Sequence, residues 1–387
     1  MPWYMTYSAI YEDDVDAQDG LGYYYLSFVM DDRLILVKMN SKTGEVAYSY
    51  DYFISKAGED WRNKKIPQTF LQDPTSSNRM FLFGQFEQRA SIIKFVKSTA
   101  QLDWILQVKH YDSKLAAPES MMSEIYSYAQ SKKDKQWLFV CGYRWTSPSQ
   151  EQFRQAAIMK MSTDGQISFL DVFAQDKIDQ RDTCRSVAYD NSNDQVVYLL
   201  EVTSSSLRPN YAAYSKYSAS NIDMMIVRQN PDGAFIDATN INYEGASIDF
   251  YIGKDSLIIN GGDYYFGSYS WGFHTNLQNK SYTATDAFYD AHLFKYNPSG
   301  DDTCFHKQSM SSTEIKAVTV RHDEADVSQK QNQPYLLNKV NNLFLAYQSQ
   351  FSGHFKLHNS FRLPKMCMDV SMNLTDGVIY YRGQDTK

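Results

Sequence analysis

No stretch of this 387-residue sequence approaches the roughly 20 consecutive apolar residues of a membrane-spanning helix. The opening Met1-Pro2-Trp3-Tyr4 has neither the charged nor the apolar region of a signal peptide. The chain as given therefore reads as soluble, with an extracellular or cell-surface home expected if it is a piece of a longer protein. Runs of Ala, Leu, Glu and Lys at helical spacing are missing, which argues against a mainly helical protein. Basic clusters are missing too, and the net charge is −7. Nucleic acids and anionic membranes are held by neutralising phosphates with Lys and Arg, so that class of partner is set aside. Cysteine is scarce: Cys141, Cys184, Cys304 and Cys367 form no CxxC pair, so neither a zinc site nor a thioredoxin-type motif is suggested. Each lies in an apolar strand-like stretch and reads as a free buried thiol, one or two disulfides being the alternative.

What is abundant is aromatic surface, 15% of residues, carried by 30 tyrosines and 22 phenylalanines. Such residues favour the pleated, half-buried surface of a sheet. With 43% hydrophobic and 21% charged residues the composition is that of a folded chain, not a disordered one.

A hairpin pattern recurs: a short alternating segment, a polar turn rich in Asp, Asn, Ser and Lys, then an apolar run often ending in Gly. Its clearest copies are TFLQDPTSSNRMFLFGQ from Thr69, SEIYSYAQSKKDKQWLFVCGY from Ser123 and CRSVAYDNSNDQVVYLLEV from Cys184. Others begin at Ser8, Ser247, Glu314 and Cys367. A second hairpin follows most of them, as in RLILVKMNSKTGEVAYSY, AAIMKMSTDGQISFLDVF, DMMIVRQNPDGAFIDATNI and DAHLFKYNPSGDDTCFHK, with ASIIKFVKSTAQLDWILQV lacking the Gly. Thr43-Gly44, Asp164-Gly165, Asp232-Gly233 and Ser299-Gly300 supply the positive φ that tight hairpins need.

Two hairpins per unit make four antiparallel strands, and a lone sheet of that size cannot cover both of its faces. Stacking the sheets around an axis covers both, which explains apolar runs such as Phe81-Leu82-Phe83, Leu138-Phe139-Val140 and Leu257-Ile258-Ile259. These runs are predicted to be buried. The expected fold is all-β, a single β-propeller domain over 1–387. Its approximate units are 3–55, 66–112, 120–178, 182–244, 246–311, 314–362 and a partial 365–387. That is about seven four-stranded blades with the last incomplete; six blades is the alternative, and two stacked β-sandwiches the competing fold. The second hairpins, DAHLFKYNPSG above all, resemble a β-propeller repeat family whose units carry a DAF-apolar-Lys-aromatic-or-Leu-Asn-Pro-x-Gly strand and turn, found in bacterial and protist surface proteins. The copy at Ala156 lacks the Pro and that at Ser91 the Gly. The Tyr-, Gln-, Ser- and Asn-rich composition is similar to that of ciliate proteins. The resemblance implies the fold and no activity.

Few constellations suggest chemistry. Asp14, Asp16 and Asp19 lie in an acidic stretch similar to a calcium loop, one residue out of register, where a solvated turn is the plainer reading. Asp263, Tyr264, Tyr265, Tyr269, Trp271, Phe273 and His274 form the longest aromatic tract, read as a loop inserted in the fifth unit. Exposed rings there would stack on a sugar or seat a partner's anchor residue; packed rings would merely cover the next blade. His354 and His358 are spaced by four but lack a third ligand. No nucleophile elbow, phosphate loop or repeated Asp-box occurs. Asn279-Lys280-Ser281 and Asn373-Leu374-Thr375 match the glycosylation sequon, which matters only in a secreted chain. No catalytic residue and no cofactor other than calcium is indicated. The reading is a non-catalytic interaction or scaffold module, the globular part of a larger surface or assembly protein, with another protein or a glycan as partner. A carbohydrate-binding or carbohydrate-active propeller is the alternative.

Overall fold

The computed structural model describes residues 6–13, 20–30, 33–53, 69–86, 89–108, 122–131, 133–145, 154–173, 182–203, 222–243, 250–252, 256–260, 262–271, 274–277, 280–283, 289–299, 304–308, 313–322, 341–349 and 355–362. By internal contacts the chain divides into two compact units, Met1–Gln180 and Arg181–Lys387.

The first unit holds three four-stranded antiparallel meanders, each with its strands side by side in chain order. Blade 1 is β1 (Thr6–Asp13), β2 (Tyr23–Met30), β3 (Arg33–Asn40) and β4 (Val46–Phe53). Blade 2 is β5 (Thr69–Gln72), β6 (Arg79–Phe86), β7 (Arg89–Val96) and β8 (Leu102–Gln107). Blade 3 is β9 (Glu124–Gln130), β10 (Trp137–Trp145), β11 (Arg154–Ser162) and β12 (Ile167–Val172).

In the second unit, blade 4 is β13 (Thr183–Asp190), β14 (Gln195–Thr203), β15 (Ile222–Gln229) and β16 (Phe235–Tyr243). Blade 5 has its first strand in two pieces, β17 (Phe250–Ile252) and β18 (Ile258–Asn260), both paired to β19 (Asp263–Trp271). A hairpin, β20 (His274–Leu277) and β21 (Lys280–Thr283), leaves that blade and pairs with β16. The blade resumes with β22 (Tyr289–Tyr296) and β23 (Cys304–Gln308), and a sixth sheet holds β24 (Thr313–His322), β25 (Asn341–Ser349) and β26 (Phe355–Arg362). The expected seventh stretch, 365–387, lies outside the described residues.

Side-chain chemistry at the turns sets the hairpins. At the end of the first strand Asp73 Oδ1 accepts from Thr75 N at 2.8 Å, Ser131 Oγ from Lys133 N at 3.1 Å and Asp190 Oδ1 from Ser192 N at 3.0 Å. A short oxygen two residues ahead of an amide substitutes for a backbone turn bond, which is why Asp and Ser recur there. At the end of the third strand Asn40, Ser162, Asn230 and Asn297 do the same. Gly44, Gly165 and Gly233 follow with φ of 73°, 84° and 87°. Blade 2 lacks that glycine, and Ala100 takes the left-handed conformation with φ 58°.

The middle strand β6 has two apolar faces because a blade stands on either side of blade 2. In β6, Met80 and Leu82 join the core shared with blade 1, whereas Phe81 and Phe83 join the core shared with blade 3. All four are essentially without solvent exposure, and such burial contributes about 1.5–3 kcal/mol per side chain. Leu138, Phe139 and Val140 are buried as predicted; Leu257 is buried, while Ile258 and Ile259 are only partly so. Blades 4 and 5 share a third core, built around Leu199, Ile226, Phe266 and Phe294.

Two sequence expectations are overturned. The segment from Ser247 does not fold back on itself, because β17 and β18 lie on the same neighbour, β19. The sequence looks like a hairpin with its turn at Gly253-Lys254-Asp255, but the two described pieces share a single strand position. Cys141 and Cys184, read as free thiols, are disulfide-bonded and fully buried; no cysteine is free among the described residues. Apolar surroundings suit a disulfide as well as a thiol, so the sequence context could not separate the two.

Candidate interaction surface

The aromatic tract is a strand, not a loop. Tyr264 and Tyr265 lie on β19 with exposures of 0% and 3%. Tyr264 stands in the core shared with blade 4 and its hydroxyl reaches Asp190 Oδ2 at 3.2 Å. Asp263 pairs with Lys295 at 3.1 Å and accepts from Tyr265 OH at 3.4 Å. These three are structural parts of the blade, with Tyr264 in the core, Tyr265 buried, and Asp263 bonded to Lys295 and Tyr265. Tyr269 and Trp271 fall on the far half of β19 and His274 opens β20. Phe273, like Asp14, Asp16 and Asp19, lies outside the described residues. Asp13, just before that acidic stretch, is ion-paired with Lys97.

One cation recurs on the same rung of the third strand in five blades. Lys38 lies opposite Tyr25, Lys94 opposite Phe81, Lys160 opposite Phe139, Arg228 opposite Val197 and Lys295 opposite Tyr265. Buried ammonium groups need compensation, and it comes from several sources. Lys94 Nζ meets Asp73 at 2.8 Å and the Thr163 carbonyl of the next blade at 2.9 Å. Lys160 Nζ stands 4.7 Å from the Trp137 ring centroid and Lys38 Nζ 3.9 Å from that of Tyr23, where the ring quadrupole attracts a cation. Arg228 bonds Asp237, with Nε at 2.6 Å from Oδ1. A Lys or Arg placed in the second half of each apolar third strand is the signal that would have revealed this rung in the sequence.

At the opposite end of blade 3 a buried polar group joins Tyr143 OH to Glu124 Oε2 at 2.6 Å, with the Arg154 guanidinium 5.2 Å from the Tyr143 ring centroid. Burial, then Tyr126 and Glu124, push the Tyr143 phenol far above its ordinary value. Burial does the same at Tyr264, reinforced by Asp190. At Tyr52 burial, with Tyr50 beside it, pushes the phenol up to about 12. These shifts move groups away from neutral pH, whereas acid–base catalysis needs them brought toward it. Among the described residues no three His, Cys, Asp or Glu side chains gather as metal ligands, and no helix is long and apolar enough to cross a membrane.

The exposed large apolar side chains have a pattern. Among the described residues they are Leu21, Val46, Tyr50, Ile105 and Ile236. Val46 and Tyr50 are on β4, Ile105 on β8 and Ile236 on β16, each the fourth strand of its blade. Tyr50 lies opposite Leu36, and Ile105 opposite Ile93. Leu36 and Ile93 both belong to the core between blades 1 and 2, so Tyr50 and Ile105 face the same inter-blade cleft from its two sides. Tyr48 OH donates to the Lys97 carbonyl at 3.0 Å across that cleft, and Tyr52 OH donates to the Ala100 carbonyl.

No protein-family model and no curated protein matches the sequence. Solved structures are similar to it only distantly. The Dos1 propeller shares 10% identity over 92% of this chain and 66% of that chain, with a TM-score of 0.46. Extracellular domains 1 and 2 of Drosophila Semaphorin 1b share 6% identity over 92% and 77%, with a TM-score of 0.46. The β-propeller domain of the Trilobed protease from Pyrococcus furiosus shares 8% identity over 92% and 93%, with a TM-score of 0.37. At such identities and scores the likenesses carry no inference about function. The fold rests on the sheets themselves: repeated four-stranded meanders, stacked face to face within each unit, make this an all-β chain of the β-propeller class.

Proposed function

We propose that the chain is a non-catalytic interaction module, a scaffold propeller that forms the globular part of a larger surface or assembly protein. The observation that carries this reading is the placement of exposed apolar side chains on the outermost strands, where Val46, Tyr50, Ile105 and Ile236 stand at 40–56% exposure. Apolar and aromatic side chains displayed on a rigid sheet are the material of interface anchors. The buried disulfide cysteines support a home outside reducing compartments, as a surface protein requires.

The test is a comparison of wild type with a variant carrying Val46→Ser, Tyr50→Ser, Ile105→Ser and Ile236→Ser. Partners retained from native extract by the wild type and lost from the folded variant are the expected result. Identical partner profiles, or turnover of a glycan by the purified chain, would overturn the reading. Glycan-array binding lost on Tyr269→Ala and Trp271→Ala would bring the carbohydrate alternative forward.

A further inference from the structure

The outer edges of the blades are not equivalent. The fourth strands β8, β12 and β23 have 6, 6 and 5 residues, whereas β4 and β16 have 8 and 9. A long flat edge presents a row of unpaired amides and carbonyls and takes up another strand unless something covers or breaks it. On β16 the chain supplies the cover itself, with Asn242 paired to Asn276 and Tyr243 to Thr275 of β20. On β4 no strand pairs with the outer edge among the described residues.

Most of the usual protections are missing from β4 as well. Its sequence, Val-Ala-Tyr-Ser-Tyr-Asp-Tyr-Phe, has no Lys, Arg, Pro or Gly. The one charge, Asp51, is already met by Arg33. The ladder to β3 is regular from Tyr48 to Phe53, and its one irregularity, at Ala47, sits near the start of the strand. The hydroxyl bonds of Tyr48 and Tyr52 to blade 2 hold the strand upright as a template.

We propose that β4 is a homotypic interface, the edge on which a second copy of this chain docks by antiparallel β4-to-β4 pairing. The occupant is chosen by the strand's self-complementarity. A two-fold axis at Ser49 sets Tyr48 against the partner's Tyr50 and Val46 against the partner's Tyr52. It also sets Ala47 against the partner's Asp51, so no like charges face one another. Aromatic pairs of this kind stabilise a sheet, and an isologous edge closes as a dimer instead of growing into a fibre. The inference rests on the outer strands being the binding surface and narrows that surface to one strand and one occupant.

Sedimentation and light scattering of the whole chain at micromolar concentrations test it. The wild type is expected at twice the 44.7 kDa chain mass. Ser49→Pro is expected at the single-chain mass, and so is Tyr50→Lys, a substitution at an exposed position that leaves the fold intact by circular dichroism. Hydrogen exchange on the unmodified chain supplies a readout independent of any variant: β4 amides gain protection as concentration rises. A wild type of single-chain mass throughout, or variants that dimerise undiminished, would overturn the inference. If β4 is protected only by a different protein, the homotypic inference fails and the scaffold reading survives. If nothing protects it, both fail at this strand.

Discussion

Blades 2 and 3 are neighbours in one unit, built on the same meander, and they solve three local problems differently. At the close of the first strand blade 2 has Asp73 and blade 3 has Ser131. Lys94 meets that carboxylate and lies 5.2 Å from the Phe81 ring centroid, and Lys160 stands over the rings of Trp137 and Phe139. At the second hairpin blade 2 uses Ala100 where blade 3 uses Gly165. On the second strand Phe83 of blade 2 corresponds to the disulfide-bonded Cys141 of blade 3. The difference teaches that the fold fixes the need at each position, not the residue that meets it. A buried cation needs negative density, from a carboxylate, a carbonyl or an aromatic face, and a left-handed turn residue needs little more than a small side chain.

Several substitutions sharpen or break that comparison. The largest effect is expected in blade 3. There the register of β10 shifts against β9 between Cys141 and Gly142, and a Cβ on Gly142 would lie 1.8 Å from the Glu124 carbonyl oxygen. Gly142→Ala is expected to cost about 3 kcal/mol or more, read from denaturant unfolding. Reducing the disulfide cysteines Cys141 and Cys184 is expected to cost about 2–5 kcal/mol, and mass spectrometry of the unreduced chain should find neither alkylated. Asp73→Ala strands a buried ammonium and is expected to cost about 3 kcal/mol. Ser131→Ala removes the two turn bonds that its hydroxyl accepts from Lys133 N and Asp134 N and should cost about 1–2 kcal/mol. Equal losses at those two positions would mean that the ion pair contributes nothing.

Exchanging the turn residues should be unequal: Gly165→Ala destabilises by about 1 kcal/mol, whereas Ala100→Gly relieves the left-handed strain but loses a buried methyl, so its net effect is near zero. The Gly165 penalty is conformational, since the nearest atoms to its added Cβ, on Trp104, are at an ordinary 3.5 Å. The last effect belongs to pH. A phenol whose folded value is raised to about 12 binds its proton more tightly in the native state. Stability is therefore whole below about 10 and falls as pH rises toward 12. Tyr52→Phe should flatten part of that fall in an alkaline titration followed by circular dichroism.

Much of the meander was legible in the sequence, because turns are decided locally. Asp73-Pro74-Thr75, Asn40 to Gly44 and Asn230 to Gly233 carry their own hydrogen bonds within five residues, so their identity shows without knowledge of the rest. The burial of Phe81, Leu82 and Phe83 was legible for a similar reason: three consecutive large apolar side chains require cover on both faces. The fifth blade misled because Gly253-Lys254-Asp255 has turn chemistry, whereas the pairing of β17 and β18 to one strand is a long-range decision. Tyr264 and Tyr265 were mistaken for a loop on composition, although Tyr and Phe alternating with Gly and Ser suit a strand equally well. The exposed positions Tyr50 and Ile105 carry no sequence signal, since a fourth strand reads like any other until its place at the edge is known.

The meander also governs how the protein is made. Strands leave the ribosome in the order in which they lie side by side, so each blade closes through contacts that are near in sequence, the fast kind. A blade just finished nevertheless has one greasy face bare until its successor has been synthesised. Phe81 and Phe83 are only partly covered by their own blade, as by Trp104, and the rest of their cover, Ile125, Leu138, Val140, Met159 and Met161, comes from residues 125 to 161. Slower synthesis through that stretch is therefore expected to lower the yield. A pause there would leave on display the surface that another nascent copy is shaped to fill.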